Sequence, residues 1–115
     1  MIVRKSDHST ELRCAAHGGS GAVAVEHLAG PEQTFGHCRM AVRAVLDPGS
    51  SMGYHVHRGE MEFFCLLSGA LEVDDNGTPA VLYPGDTMLT AEGEGHSLRC
   101  LGSAPAEYLA VVVRK

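Results

Sequence analysis

The sequence predicts an all-β chain, a sandwich or barrel, and three observations carry that expectation. Apolar residues recur with period two rather than 3.6 in most segments, which favours strands. Turn signals built from Gly, Pro, Asn and Asp separate those segments at short, regular intervals. The 115 residues suit a single hydrophobic core and are too few for two.

Nine segments read as strands: residues 21–27, 38–46, 54–57, 62–68, 70–74, 79–83, 86–90, 96–100 and 107–113. The turns between them are Asp47-Pro48-Gly49, Ser68-Gly69, Asp75-Asn76-Gly77, Pro84-Gly85-Asp86 and Gly93-Glu94-Gly95. Asp75-Asn76-Gly77 is the strongest hairpin signal, because Asn and Gly tolerate the positive φ of a tight turn. Residues 1–35 are read as an N-terminal strand and loops leading into a barrel core over 36–115, the whole forming one domain. Within them Met1-Ile2-Val3 is a candidate extra strand, residues 17–21 (HGGSG) a flexible turn, and residues 28–36 a loop. Because Met1-Ile2-Val3 has no partner nearby in sequence, the expectation is a two-fold homodimer in which N-terminal strands extend the partner's sheet.

Composition excludes several function classes. A formal net charge of −5 and the absence of Trp leave little to neutralise phosphates or stack on bases, so no nucleic-acid partner is expected. No apolar run approaches the roughly 20 residues of a spanning helix, so no membrane partner is expected either. The start, MIVRKSDHSTELR, is too weakly apolar for a secretory signal. Cys14, Cys38, Cys65 and Cys100 form no C-x-x-C pair and read as reduced thiols. Together these predict a cytoplasmic protein.

The chemistry concentrates in PGSSMGYHVHRGEMEFFCLLSGAL, residues 48–71. On a strand, residues i and i+2 share a face, so His55 and His57 can offer two imidazoles to one point while Tyr54 and Val56 face away. Glu62 heads the next strand on one face with Phe64 and Leu66, a carboxylate above an apolar floor. His96 joins them if its strand pairs antiparallel with the histidine strand. Three imidazoles and one carboxylate suit a divalent transition metal, whether Mn, Zn, Ni, Fe or Co. An H-x-H pair alone is more often two packing or surface histidines than a metal site. Glu60 reads as a solvated turn residue, the alternative being an acceptor for a ligand histidine. Glu92 and Glu94 read as loop charges. Arg39 and Arg43 share a strand face, either meeting an anionic substrate or salt-bridged at an edge. His8, His17, His27 and His37 follow no ligand spacing and are left on the surface.

The spacing Gly49-x5-His55-x-His57-x4-Glu62-x6-Gly69 resembles the first motif of the cupin superfamily at each fixed position. The second motif begins at Gly85 and reaches its histidine at His96, with Gly93 three residues before it. The resemblance spans roughly residues 42–108 and is closest to small single-domain cupins similar to oxalate decarboxylases. It implies a small jelly-roll β-barrel and assigns the metal-ligand role to His55, His57, Glu62 and His96. Two departures stand out: Ala91 occupies a usual Pro position, and Cys100 a usual Asn position. By strand alternation Cys100 shares the face of His96, which puts it near the metal.

Three neutral imidazoles, a carboxylate and a divalent cation sum to about +1, a charge that attracts anionic oxygen donors. A six-coordinate metal would keep two positions open for two waters, a bidentate carboxylate or hydroxy-acid, or one substrate plus dioxygen. The resemblance therefore implies a metal-dependent enzyme acting by Lewis-acid chemistry on a small anionic oxygenated metabolite, of decarboxylase, dioxygenase or isomerase type. Its alternatives are a non-catalytic sugar or carboxylate sensor and a stress protein whose metal is structural. No residue stands out as catalytic.

Overall fold

A computed structural model describes residues Met1–Lys115. Ten strands follow one another: β1 (Ser9–Cys14), β2 (Ala22–Ala29), β3 (Cys38–Leu46), β4 (Ser51–Val56), β5 (Glu60–Ser68), β6 (Ala70–Asp75), β7 (Thr78–Leu82), β8 (Thr87–Thr90), β9 (Gly95–Leu101) and β10 (Ala106–Arg114). They form a six-stranded sheet in the order β1-β2-β3-β10-β5-β8 and a four-stranded sheet in the order β4-β9-β6-β7. Every pairing is antiparallel. The architecture is the all-β jelly roll that the motifs imply.

All nine expected strands are present; the largest displaced boundary is the start of β4, at Ser51. The extra N-terminal strand is Ser9–Cys14, and Met1-Ile2-Val3 lies outside any strand with Met1 and Ile2 exposed. The reason is physical: β1 is an edge strand whose residues are almost all exposed, so it carries no apolar alternation to read.

Alternate residues of the inner strands point between the sheets. On β10 these are Ala106, Tyr108, Ala110 and Val112, all at most 3% exposed. Phe64 and Leu66 of β5, Leu71 and Val73 of β6, and Val23 and Val25 of β2 meet Ala106, Tyr108 and Ala110 in one core. The Phe64 and Tyr108 rings pack with centroids 4.2 Å apart. The Val, Leu and Phe side chains among them contribute about 1.5–3 kcal/mol each on burial.

Turns set the register. Asn76 and Gly77 both take positive φ, at 49° and 95°, and the Asp74 carboxylate accepts the Gly77 amide at 2.6 Å. That is the hairpin chemistry expected of Asp75-Asn76-Gly77, and it joins β6 to β7. Between β5 and β6 the chain leaves one sheet for the other through Gly69 alone. Its φ is +80°, and a Cβ there would lie 2.4 Å from the Pro105 carbonyl oxygen, so only glycine fits the corner. All four cysteines are free thiols. No helix is long and apolar enough to cross a membrane.

Candidate metal centre

β4 and β9 pair with His55 opposite His96, as antiparallel pairing of the two histidine strands requires. β5 lies in the facing sheet and turns Glu62, 8% exposed, inward on the same face as Phe64 and Leu66. The two sheets thus deliver four donors to one point: His55, His57, Glu62 and His96 each offer an atom within 4.8 Å of all the others. Nε2 of His96 lies 3.1 Å from Nε2 of His55 and 3.4 Å from Nε2 of His57. Oε2 of Glu62 lies 2.9 Å from His57 Nε2 and 3.1 Å from His96 Nε2. Ligands about 2.1 Å from a common metal, at right angles to one another, are about 3.0 Å apart, so the spacing matches the edges of a coordination shell.

The protons agree with the distances. His55 Nδ1 donates to the Gly53 carbonyl oxygen at 2.8 Å, and His57 Nδ1 donates to Glu60 Oε2 at 2.8 Å. Neither partner can donate, so on a neutral ring the Nε2 atoms of both histidines are bare lone pairs. His96 Nδ1 is bonded to the Thr90 hydroxyl at 2.7 Å, which leaves its Nε2 facing the same point. Lone pairs and a carboxylate oxygen converging this closely repel unless a cation or a proton lies between them. One outer partner per imidazole is also how metal-binding histidines are held.

Charge states follow from the surroundings. Burial pushes the His55 pKa down to about 4, against the Gly53 carbonyl and with help from His96 and His17, so its imidazole is neutral at neutral pH. Burial also works against ionised Glu62, yet hydrogen bonds from His57 and His96 outweigh it and lower that carboxyl to about 2. His57 moves up, chiefly because Glu62 accepts from it and despite its burial, with Glu60 adding to the rise. A proton on His57 is what a metal would displace.

Beside the cluster lies a cavity of about 430 Å³. His55, His57 and Glu62 line one side, Val25, Val42, Ala44, Ala110 and Val112 the apolar wall, and Arg13, Arg39 and Arg58 also border it. Glu60 is not the solvated turn residue expected of its position. Its side chain is 15% exposed, and besides holding His57 it takes a two-pronged bond from Arg39 at 2.8 and 2.7 Å. Both strand-face arginines are paired: Arg43 bonds Glu26 and Glu107 outside this cavity, whereas Arg39 borders it.

His17, left on the surface by sequence spacing, lies against the centre. Its ring stacks on His55 at 3.9 Å with 12° between planes. It sits in the short 3-10 turn Ala16–Gly18, where Ala15 and His17 both take left-handed φ. HGGSG is therefore a clamped loop rather than a free one. A Cβ on Gly53 would lie 1.9 Å from the His17 carbonyl oxygen, and one on Gly19 2.2 Å from that of Ser51. No spacing rule could have signalled this contact, which depends on the Ala16–Gly18 turn packing against β4. His8 and His27 instead bond Glu26 and Glu11. Cys100 shares the buried face of His96 and Leu98, but its thiol donates to the Ala104 carbonyl and does not border the cavity. Glu92 pairs with Lys115, and Glu94 accepts the Ala91 amide.

Residues 42–112 match the cupin domain family. The chain belongs to the cupins. Over 113 residues it is 37% identical to an oxalate-binding protein of Thermotoga maritima, covering 98% of this chain and 93% of that protein. A crystal structure of a predicted oxalate decarboxylase from Thermotoga maritima superposes with a TM-score of 0.94 at 36% identity, covering both chains fully. A cupin-superfamily sugar phosphate isomerase from Silicibacter pomeroyi superposes with a TM-score of 0.73 at 26% identity, over 93% of this cupin and 73% of the isomerase.

Proposed function

We propose that this cupin holds one divalent metal ion on His55, His57, Glu62 and His96 and binds a small carboxylate, oxalate among them, at positions the protein leaves open. The observation that carries the reading is the convergence of three imidazole nitrogens and a carboxylate oxygen within 4.8 Å, with outer acceptors or donors on each imidazole. Likeness to an oxalate-binding protein over 98% of the chain supports the ligand class, as do the arginines bordering the cavity. The metal supplies Lewis-acid polarisation of a bound carboxylate. The chain's own residues orient that ligand, shield it on one wall and leave a net positive centre to receive it.

Turnover is a second reading, and His17 favours it. Burial lowers its pKa, so a neutral imidazole stands beside the centre, able to accept a proton. Glu60 is committed to His57 and Arg39, and Glu62 belongs to the ligand set, so neither carboxylate is free for acid–base work.

The test is thermal. Oxalate should raise the melting temperature of the metal-loaded protein and leave the chelated protein unmoved, because a ligand of the native holo state stabilises by mass action. No shift from any small carboxylate would sink the reading. Where a shift is found, product analysis under air and under nitrogen separates decarboxylation or isomerisation from oxygenation, and binding without product identifies a sensor.

For assembly we propose a two-fold dimer. The free edge of β1 and the exposed outer side chains Phe63, Leu67 and Leu89 support it, and a monomer mass by light scattering at micromolar concentration would remove it. The four free thiols support a cytoplasmic setting.

A further inference from the structure

The cavity is larger than oxalate fills, and part of its lining is apolar. At about 30 Å³ per water, its volume corresponds to on the order of a dozen waters, and it falls within the range of pockets that enclose whole organic ligands. Oxalate has a two-carbon skeleton and no apolar surface to bury. Val25, Val42, Ala44, Ala110 and Val112, each at most 2% exposed, back one side of the cavity, while the half-buried Met40 and Met52 offer it apolar surface. An oxalate at the metal would leave the Met40 and Met52 side chains facing water.

Tyr108 is the polar exception on the backed side. It is 3% exposed and borders the cavity. Its ring is fixed against Phe64. No protein group hydrogen-bonds its hydroxyl, and no fully enclosed polar side-chain atom lacks a partner, so the hydroxyl opens onto the cavity. Burial raises its pKa first and the charge of Glu62 next, against Arg13. The phenol is therefore a neutral donor that lines the same cavity as Glu62. A buried O–H without a partner carries a penalty that a ligand acceptor removes.

Resting on the proposed metal-dependent carboxylate site, we infer that the preferred ligand is a 2-oxo or 2-hydroxy acid with an aliphatic body. Its acid end meets the metal and accepts the Tyr108 hydroxyl; its alkyl chain lies along Met40 and Met52. Tyr108 is then the residue that positions the acid and sets its orientation.

The experiment is calorimetric titration of zinc-loaded protein with oxalate, pyruvate, 2-oxobutanoate, 2-oxopentanoate and 4-methyl-2-oxopentanoate. Affinity should rise about fourfold for each methylene buried beyond pyruvate. Tyr108→Phe, which removes only an unpartnered hydroxyl, should keep zinc content and melting temperature while weakening 2-oxopentanoate about five- to tenfold. Affinity level or falling along the series, or wild-type binding of 2-oxopentanoate by Tyr108→Phe, would overturn the inference. Oxalate binding with a level series overturns it alone and leaves the carboxylate site standing. Binding of none of these acids overturns both.

Discussion

Glu60→Ala should weaken metal binding about 10- to 100-fold, the usual cost of deleting an outer partner of a metal-binding histidine, equivalent to about 1.4–2.7 kcal/mol. The structure shows why this residue matters. Oε2 accepts from His57 Nδ1 at 2.8 Å, which fixes the ring so that Nε2 faces the cluster and makes that nitrogen more basic. The same carboxylate is anchored by both prongs of Arg39, so it cannot drift as a lone surface glutamate would. In Glu60→Gln the amide oxygen still accepts from Nδ1 while the charge and part of the Arg39 fork are lost, so its affinity should fall between wild type and Glu60→Ala. Arg39→Ala leaves the His57 bond in place and should cost only a few-fold. Competition against a chromophoric chelator measures all three, with melting temperatures of the apo proteins confirming the fold. Wild-type affinity in a folded Glu60→Ala protein would refute the reasoning, and so would equal losses in the Ala and Gln variants.

Further outcomes follow from the same contacts. His55→Ala with His57→Ala should abolish metal uptake by elemental analysis; wild-type metal content in that variant removes the assignment. Gly53→Ala drives a Cβ into the His17 carbonyl 1.9 Å away; it should destabilise the fold by about 1–3 kcal/mol, read as a drop in melting temperature that Ser51→Ala does not match. His57, raised above its ordinary 6.5 chiefly by Glu62, stabilises the apo fold most below that value and loses the contribution as pH rises through its folded pKa. Metal needs the same nitrogen bare, so the melting-temperature gain from zinc should grow with pH across that window, and a constant gain contradicts the ligand role. Glu26, held down to about 2 by His8 and then Arg43, contributes stability present above the ordinary carboxylate range and lost as pH falls toward 2; Glu26→Gln should flatten that acid limb in thermal melts.

The strands were legible because burial wrote itself into the sequence. β3, β5 and β10 each put one side chain inward and the next outward, and period two survives even where the outer side is apolar, as at Phe63 and Leu67. β1 was not legible, since an edge strand exposed on both faces needs no alternation: its one large apolar residue, Leu12, is 66% exposed. Hydrogen bonds to β2, in a register running from Ser9 opposite His27 to Cys14 opposite Ala22, place it, and those are made by backbone that every sequence shares.

The same distinction divides the candidate centre. His55, His57 and Glu62 stand close in the chain, and their convergence depends only on strand alternation and the short connection that carries the chain from β4 in one sheet to β5 in the other, so their spacing announced them. His96 needed one long-range pairing, the motif supplied it, and the register of His55 opposite His96 meets it. Glu60, Thr90, His17 and Tyr108 are placed by contacts between segments with no fixed separation. Glu60 looks like any charged turn residue until Arg39, 21 positions away, reaches it across the sheet. Thr90 looks like a strand-end threonine until β8 pairs with β5 and sets it opposite Glu62. His17 reaches His55 only because Gly19 and Gly53 let two backbones approach more closely than any Cβ allows. Donor atoms that must bind one ion are constrained to a tight sequence pattern, whereas the groups that hold them need only arrive with the right hydrogen-bonding chemistry. Any segment the fold brings near can provide that chemistry, so the outer groups become visible only when the two sheets are in place.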